Sequence, residues 1–166
     1  MNRILAFPNP VDDAAARTVA AGVVLMCALA WLVSPWWLVP LTYGFLARLA
    51  SGPRFSPLGQ FATRLAAPRL ARWRKPVPGP PKRFAQGIGA TFSVATALVW
   101  WTGGWSVARW ILLPLVGAAA LESLAGFCLG CTIFGWLIRW RVVPASVCAE
   151  CGDLAAHFAR VRESAS

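Results

Sequence analysis

The sequence predicts an all-α, polytopic membrane protein: four transmembrane helices in two hairpins, with interfacial helices and a short C-terminal helix. Three observations lead there. Hydrophobic residues make up 58% of the 166-residue chain and charged residues only 13%, where a soluble domain carries about 25% charge. Residues 18–47 hold no charged side chain at all. Seven tryptophans (Trp31, Trp36, Trp37, Trp100, Trp101, Trp105 and Trp110) gather around two candidate turns, and Trp favours membrane interfaces. The composition excludes an ordinary soluble enzyme and a disordered chain. Among soluble-enzyme signatures, no phosphate loop, Ser-His-Asp constellation or carboxylate pair is present.

The elements follow in order. Residues 1–13 contain two prolines and two acids, which is not the charged-then-apolar pattern of a signal peptide, so the first apolar segment is expected to stay as a helix. A span needs about 20 residues, so the uncharged stretch is one helix over 14–33, with Arg17 snorkelling to the interface, then a short one over 36–50. Ser34-Pro35-Trp36-Trp37 divides them, and Pro40 falls near the second helix's start, where a missing N–H costs little. A polar connection covers 51–83. Within it, residues 57–73 carry Leu58, Phe61, Leu65, Leu70 and Trp73 at roughly helical spacing, predicting an interfacial helix broken near Pro68. The Lys75-Pro-Val-Pro-Gly-Pro-Pro-Lys82 run reads as a stiff extended linker. A third span is expected over 84–102, a turn at Gly103-Gly104, and a fourth span over 105–125. Residues 132–140 are too few to cross, so they form either an interfacial helix or the end of a fifth span over 123–140; the interfacial helix is favoured. Ser146 can cap a last helix over 147–162. The membrane domain is thus 1–140, followed by a cytoplasmic tail over 141–166.

Charge sets the topology. Sixteen Lys and Arg against six Asp and Glu give +10. In a soluble domain that balance would suggest nucleic acid; beside apolar spans it speaks for anionic lipid and topology instead, and no nucleic-acid partner is expected. Arg48, Arg54, Arg64, Arg69, Arg72, Arg74, Lys75, Lys82 and Arg83 lie in or beside the 51–83 connection without one acid. The positive-inside rule places this connection in the cytoplasm, with Arg64, Arg69, Arg72 and Arg74 at the membrane surface. The two tight turns then lie at the opposite face, and both termini are cytoplasmic, in the cell's inner membrane.

Cysteine carries the chemistry. Cys128 and Cys131 form one C-x-x-C pair, Cys148 and Cys151 another, and Cys27 is left over. Residues three apart on a helix share a face, so the sulfurs of the first pair can meet; packing as two small residues is the structural alternative. The second pair opens the expected last helix, where N–H groups and the dipole favour a thiolate. Together they read C-x2-C-x16-C-x2-C, a spacing that fits four-thiolate zinc binding or a relay through mixed disulfides. Glu122 is the only acid within the spans, a functional candidate by default, with Arg48 or Arg83 as expected ion-pair partners. His157 is the sole histidine and reads as an exposed tail residue.

The runs Phe7-Pro-Asn-Pro10, Phe55-Ser-Pro-Leu-Gly59, Ala67-Pro-Arg-Leu70, Pro81-Lys-Arg-Phe-Ala-Gln-Gly87 and Phe127-Cys-Leu-Gly-Cys131 resemble an uncharacterised bacterial membrane family, common in actinobacteria: domain-of-unknown-function family 4395. The resemblance spans about residues 7–140. It implies a four-helix integral membrane protein with a C-x-x-C near its end, and it implies no activity. Thr132 stands where similar sequences often carry an acid, and the tail with Cys148 and Cys151 looks like an addition.

Three functions follow as expectations. The first is a membrane thiol–disulfide or sulfur relay, using Cys128, Cys131, Cys148 and Cys151 with a thioredoxin-like or sulfurtransferase partner. The second is binding or transfer of a soft metal, Zn, Cu(I) or Hg, by the same thiolates. The third is a non-catalytic subunit of a larger membrane complex.

Overall fold

The computed structural model describes residues 11–70 and 76–144, and these are almost wholly helical. The all-α expectation holds. Asp12 caps the first helix, α1 (Asp13–Leu32), by accepting the Ala14 N–H at 2.9 Å, which satisfies one of the donors a helix start leaves unpaired. α1 stops short of Pro35, and a 3-10 turn over Pro35–Trp37 leads into α2 (Leu38–Ser51). Pro40 falls in the first turn of α2, as its ring geometry requires.

The connection then runs helically over Pro57–Phe61 (α3), Ala62–Ala66 and Ala67–Arg69 (α4). The middle segment is a π-turn in which the Ala67 N–H reaches the Ala62 carbonyl. Pro68 explains it: a residue without an N–H cannot continue the ordinary ladder, so the bonding widens just before it. The break expected near Pro68 is therefore a local rewinding, and the helix ends at Arg69.

The Pro-rich linker is shorter than expected. Pro76–Val77 (β2) is extended, pairing antiparallel with Val11–Asp12 (β1), Val11 opposite Val77. α5 (Gly79–Gly103) begins at once, taking Pro80, Pro81 and Lys82 into its first turns. Proline's fixed φ suits the first helical positions, a feature that a linker reading overlooks. Gly104 (φ +84°) makes the turn into α6 (Trp105–Ala125). α6 ends before residues 126–128, and α7 (Leu129–Arg139) follows. Residues 123–140 are thus not one helix, and a single fifth span is excluded. The expected last helix over 147–162 lies outside the described residues.

α1 packs on α6, α6 on α5 and α5 on α2, while α1 and α2 touch far less. The shared core joins Val23, Cys27 and Ala30 of α1, Leu38, Leu41 and Phe45 of α2, Ala90 of α5, and Leu112, Leu115 and Ala119 of α6. At one end of the bundle the rings of Trp31 and Trp110 meet edge-to-face at 5.6 Å, Trp36 and Trp100 at 5.4 Å, and Trp100 and Trp105 at 6.3 Å. Both tight turns therefore sit at this end. The α6–α7 turn and the starts of α1 and α5 sit at the other.

Among the described residues two helices, α1 and α6, are long and apolar enough to cross a membrane. α2 is only 14 residues long, and α5 opens with Lys82, Arg83 and Gln86, so neither meets the same standard.

Candidate functional site

The site forms where α6 gives way to α7. Gly126 takes a left-handed conformation (φ +69°), and its N–H and that of Phe127 reach back to the carbonyls of Glu122 and Leu121. Glycine suits this conformation because a Cβ strains it, and here a Cβ would also strike the Arg17 guanidinium. The turn re-aims the chain so that Cys128 becomes the N-cap of α7. Its sulfur accepts the backbone N–H of Cys131 at 3.3 Å. The pair does not share a helix face, as its spacing suggested; it straddles a helix start. Gly130 lets this start press against α5, since a Cβ there would collide with Ala85, and Phe84 meets Phe134 at 5.5 Å to hold α7 in place.

That geometry separates the two thiols. Cys128 is held below the usual thiol value, first by the Cys131 thiol that donates to its sulfur; burial and the Glu122 charge oppose this, while Lys82 and the Cys131 backbone N–H assist. Cys131 is raised well above it, because its proton is held in that bond, and burial adds to the effect. The thiolate form is favoured at Cys128, at a helix N-terminus where dipole and N–H groups support it, and disfavoured at Cys131. Both are free thiols, half-buried.

A charged cluster backs the pair. Lys82 Nζ lies 2.5 Å from Glu122 Oε1 and 3.7 Å from Asp13 Oδ1, and Arg17 Nε lies 2.9 Å from Asp13 Oδ2. Two acids and two bases cancel, which is the condition for keeping charges in a poorly solvated place. Glu122 is thus ion-paired, but neither expected partner is the one. Arg48 turns to Gln86 Oε1 (2.8 Å) and Ser56 Oγ (3.0 Å) instead, and Arg83 Nε donates to the Leu49 carbonyl. Sequence reasoning gives Arg17 and Lys82 other roles, at the interface and in topology, and gives Asp13 none. The i,i+4 spacing of Asp13 and Arg17 was a usable signal; Lys82 lies 40 positions from Glu122, and nothing local foretells that contact.

Other predicted site residues do not converge on it. Arg64 and Arg69 are exposed on the 57–69 helical segment. Arg72, Arg74, Cys148, Cys151 and His157 lie outside the described residues. Cys27 is buried in the core. Among the described residues no group of three or more Cys, His, Asp or Glu is arranged to hold a metal ion, so a four-thiolate site would need the tail cysteines.

A family model described as a domain of unknown function, DUF4395, matches residues 11–139. The chain belongs to that family. No curated protein matches it, and no solved structure does.

Proposed function

We propose that the protein is a membrane thiol–disulfide relay working through Cys128 and Cys131. The observation that carries the reading is the unequal pair at the start of α7: a sulfur that caps the helix and a neighbour that holds its proton. In the reaction, the Cys128 thiolate attacks one sulfur of a partner's disulfide. A new S–S bond forms, the partner's bond breaks, and the departing thiolate takes a proton. Cys131, losing its proton, then attacks Cys128 and releases the partner's second thiolate. Two electrons pass from the pair to the partner, and a Cys128–Cys131 disulfide remains; the reverse sequence reloads the pair. Cys148 and Cys151 fit as the intermediate couple that serves a thioredoxin-like partner.

The proposed setting is a four-span bundle in the inner membrane, with α2 and α5 crossing beside α1 and α6. Leu25, Leu98, Trp101, Leu113 and Leu124 are exposed around the bundle, an apolar girdle that water does not tolerate and lipid does. The Trp-lined turns face outward and the thiol pair faces the cytoplasm with the Arg-rich connection.

The test is trapping. A Cys131→Ser variant cannot resolve the exchange at the membrane pair, so in the presence of oxidised thioredoxin it should accumulate a disulfide between Cys128 and Cys148 or Cys151, read by peptide mass spectrometry. Cys128→Ser should give none. Equal trapping by both variants, or none by either, rejects the relay.

A further inference from the structure

Behind the charged cluster lies a partly open cavity of about 170 Å3, between the start of α1, the end of α2 and the 57–69 helical segment. This is about ten times the ~15 Å3 that admits one water. Much of its wall is apolar, from Val11, Ala16, Val19 and Pro53. Arg48, Gln86 and Lys82 supply polar groups.

Arg48 is the anomaly. It is 5% exposed, yet the groups in contact with its guanidinium are all neutral: Gln86 Oε1, Ser56 Oγ and the Phe45 ring, 4.8 Å from the guanidinium carbon. Among the described residues no carboxylate lies within ion-pair distance of it. Lys82 is already matched by Glu122 and Asp13, and Asp12, also on the wall, turns Oδ1 to the Ala14 N–H. The Glu122 charge reaches it through space, but that carboxylate is engaged by Lys82. A buried cation with no carboxylate in contact is costly, and this one borders a space where a counter-ion fits. The Gln86 carbonyl oxygen is taken by Arg48, which leaves its NH2 to donate. With Nε given to Gln86 and one Nη1 hydrogen to Ser56, the remaining Nη hydrogens of Arg48 and the Gln86 NH2 are a donor set for an oxyanion.

We propose that this cavity binds a singly charged oxyanion group, of the phosphate-ester kind, held by Arg48 and Gln86. The apolar wall suits a group carried on a hydrocarbon stem, so the headgroup of an anionic lipid and a free oxyanion are the two sources to separate. The site stands independently of the thiol chemistry.

The test uses the full chain in a neutral detergent, with thermal unfolding followed by tryptophan fluorescence at fixed ionic strength. Three probes are titrated: inorganic phosphate, dihexanoyl phosphatidylglycerol and dihexanoyl phosphatidylcholine. Saturable stabilisation by phosphatidylglycerol but not phosphatidylcholine supports a lipid source; stabilisation by phosphate to the same degree supports a free oxyanion. Arg48→Gln should weaken either by at least about tenfold, the value of one charge-assisted hydrogen bond, whereas Arg69→Gln, on the exposed surface, should not. If Arg48→Gln fails to fold, Ala16→Leu, which fills the cavity without touching Arg48's bonds, should abolish the effect. Equal stabilisation by phosphatidylcholine, no stabilisation by any probe, or an unchanged response in Arg48→Gln or Ala16→Leu overturns the proposal.

Discussion

Cys128 and Cys131 are the same residue type three positions apart, and the backbone makes them different. Because the Cys128 sulfur receives both the N–H and the thiol proton of Cys131, its thiolate persists to lower pH than that of a free cysteine, and its labelling is lost only as pH falls through that lowered value. Cys131 deprotonates only above the usual range. Site-resolved alkylation at pH 7 should therefore modify Cys128 first, by at least about tenfold, since each unit of separation is tenfold in thiolate. Cys131→Ala removes the donor and should move Cys128 labelling to higher pH. Lys82 is the second residue to probe. Its ammonium sits between two carboxylates with a side chain only 8% exposed, and breaking such a pair costs about 3–5 kcal/mol. Lys82→Met should destabilise the protein by about 3 kcal/mol in a denaturant titration. Adding Glu122→Gln should restore at least half of that, because it removes the stranded charge. None of this was legible from spacing alone: the C-x-x-C marked the sulfurs, but a helix start and a helix face give the same letters.

At the scale of elements, what was legible followed from length and punctuation. The span expected over 105–125 coincides with α6, because Gly104 and Gly126 bracket it with positive φ. The helices over 14–33 and 36–50 are off by a residue or two, at the turn that Pro35 imposes. The misjudged boundary is the start of α5, where four prolines read as a linker although two of them, Pro80 and Pro81, are good helix openers. The ion-pair partners of Glu122 failed for a different reason: they depend on how α5 lies against α6, which no local pattern encodes. The α6–α7 turn is the element whose failure would disable the site. Gly126→Ala should cost about 1–2 kcal/mol for its left-handed backbone, measured by chemical unfolding. A further loss comes from pushing the Arg17 guanidinium aside; Arg17→Ala in the same chain should remove that second part.

For the whole molecule, the bundle is a polarised object. Its aromatic end gathers Trp31, Trp36, Trp100, Trp105 and Trp110, with Arg109 within 6 Å of two of those rings, and its other end gathers the thiols, the charged cluster and the exposed arginines. In vesicles of known orientation, a cysteine placed at Thr102 should react with an impermeant maleimide from the outer side and one at Arg64 from the inner side; labelling of both from one side contradicts the proposed topology. The relay itself is tested most directly by poising membranes in glutathione buffers of graded potential and measuring Cys128 and Cys131 by differential alkylation and mass spectrometry. A relay gives one two-electron transition, in which both thiols disappear together and a peptide linked through Cys128–Cys131 appears. Two thiols that stay reduced at every potential, or that oxidise separately, would contradict it.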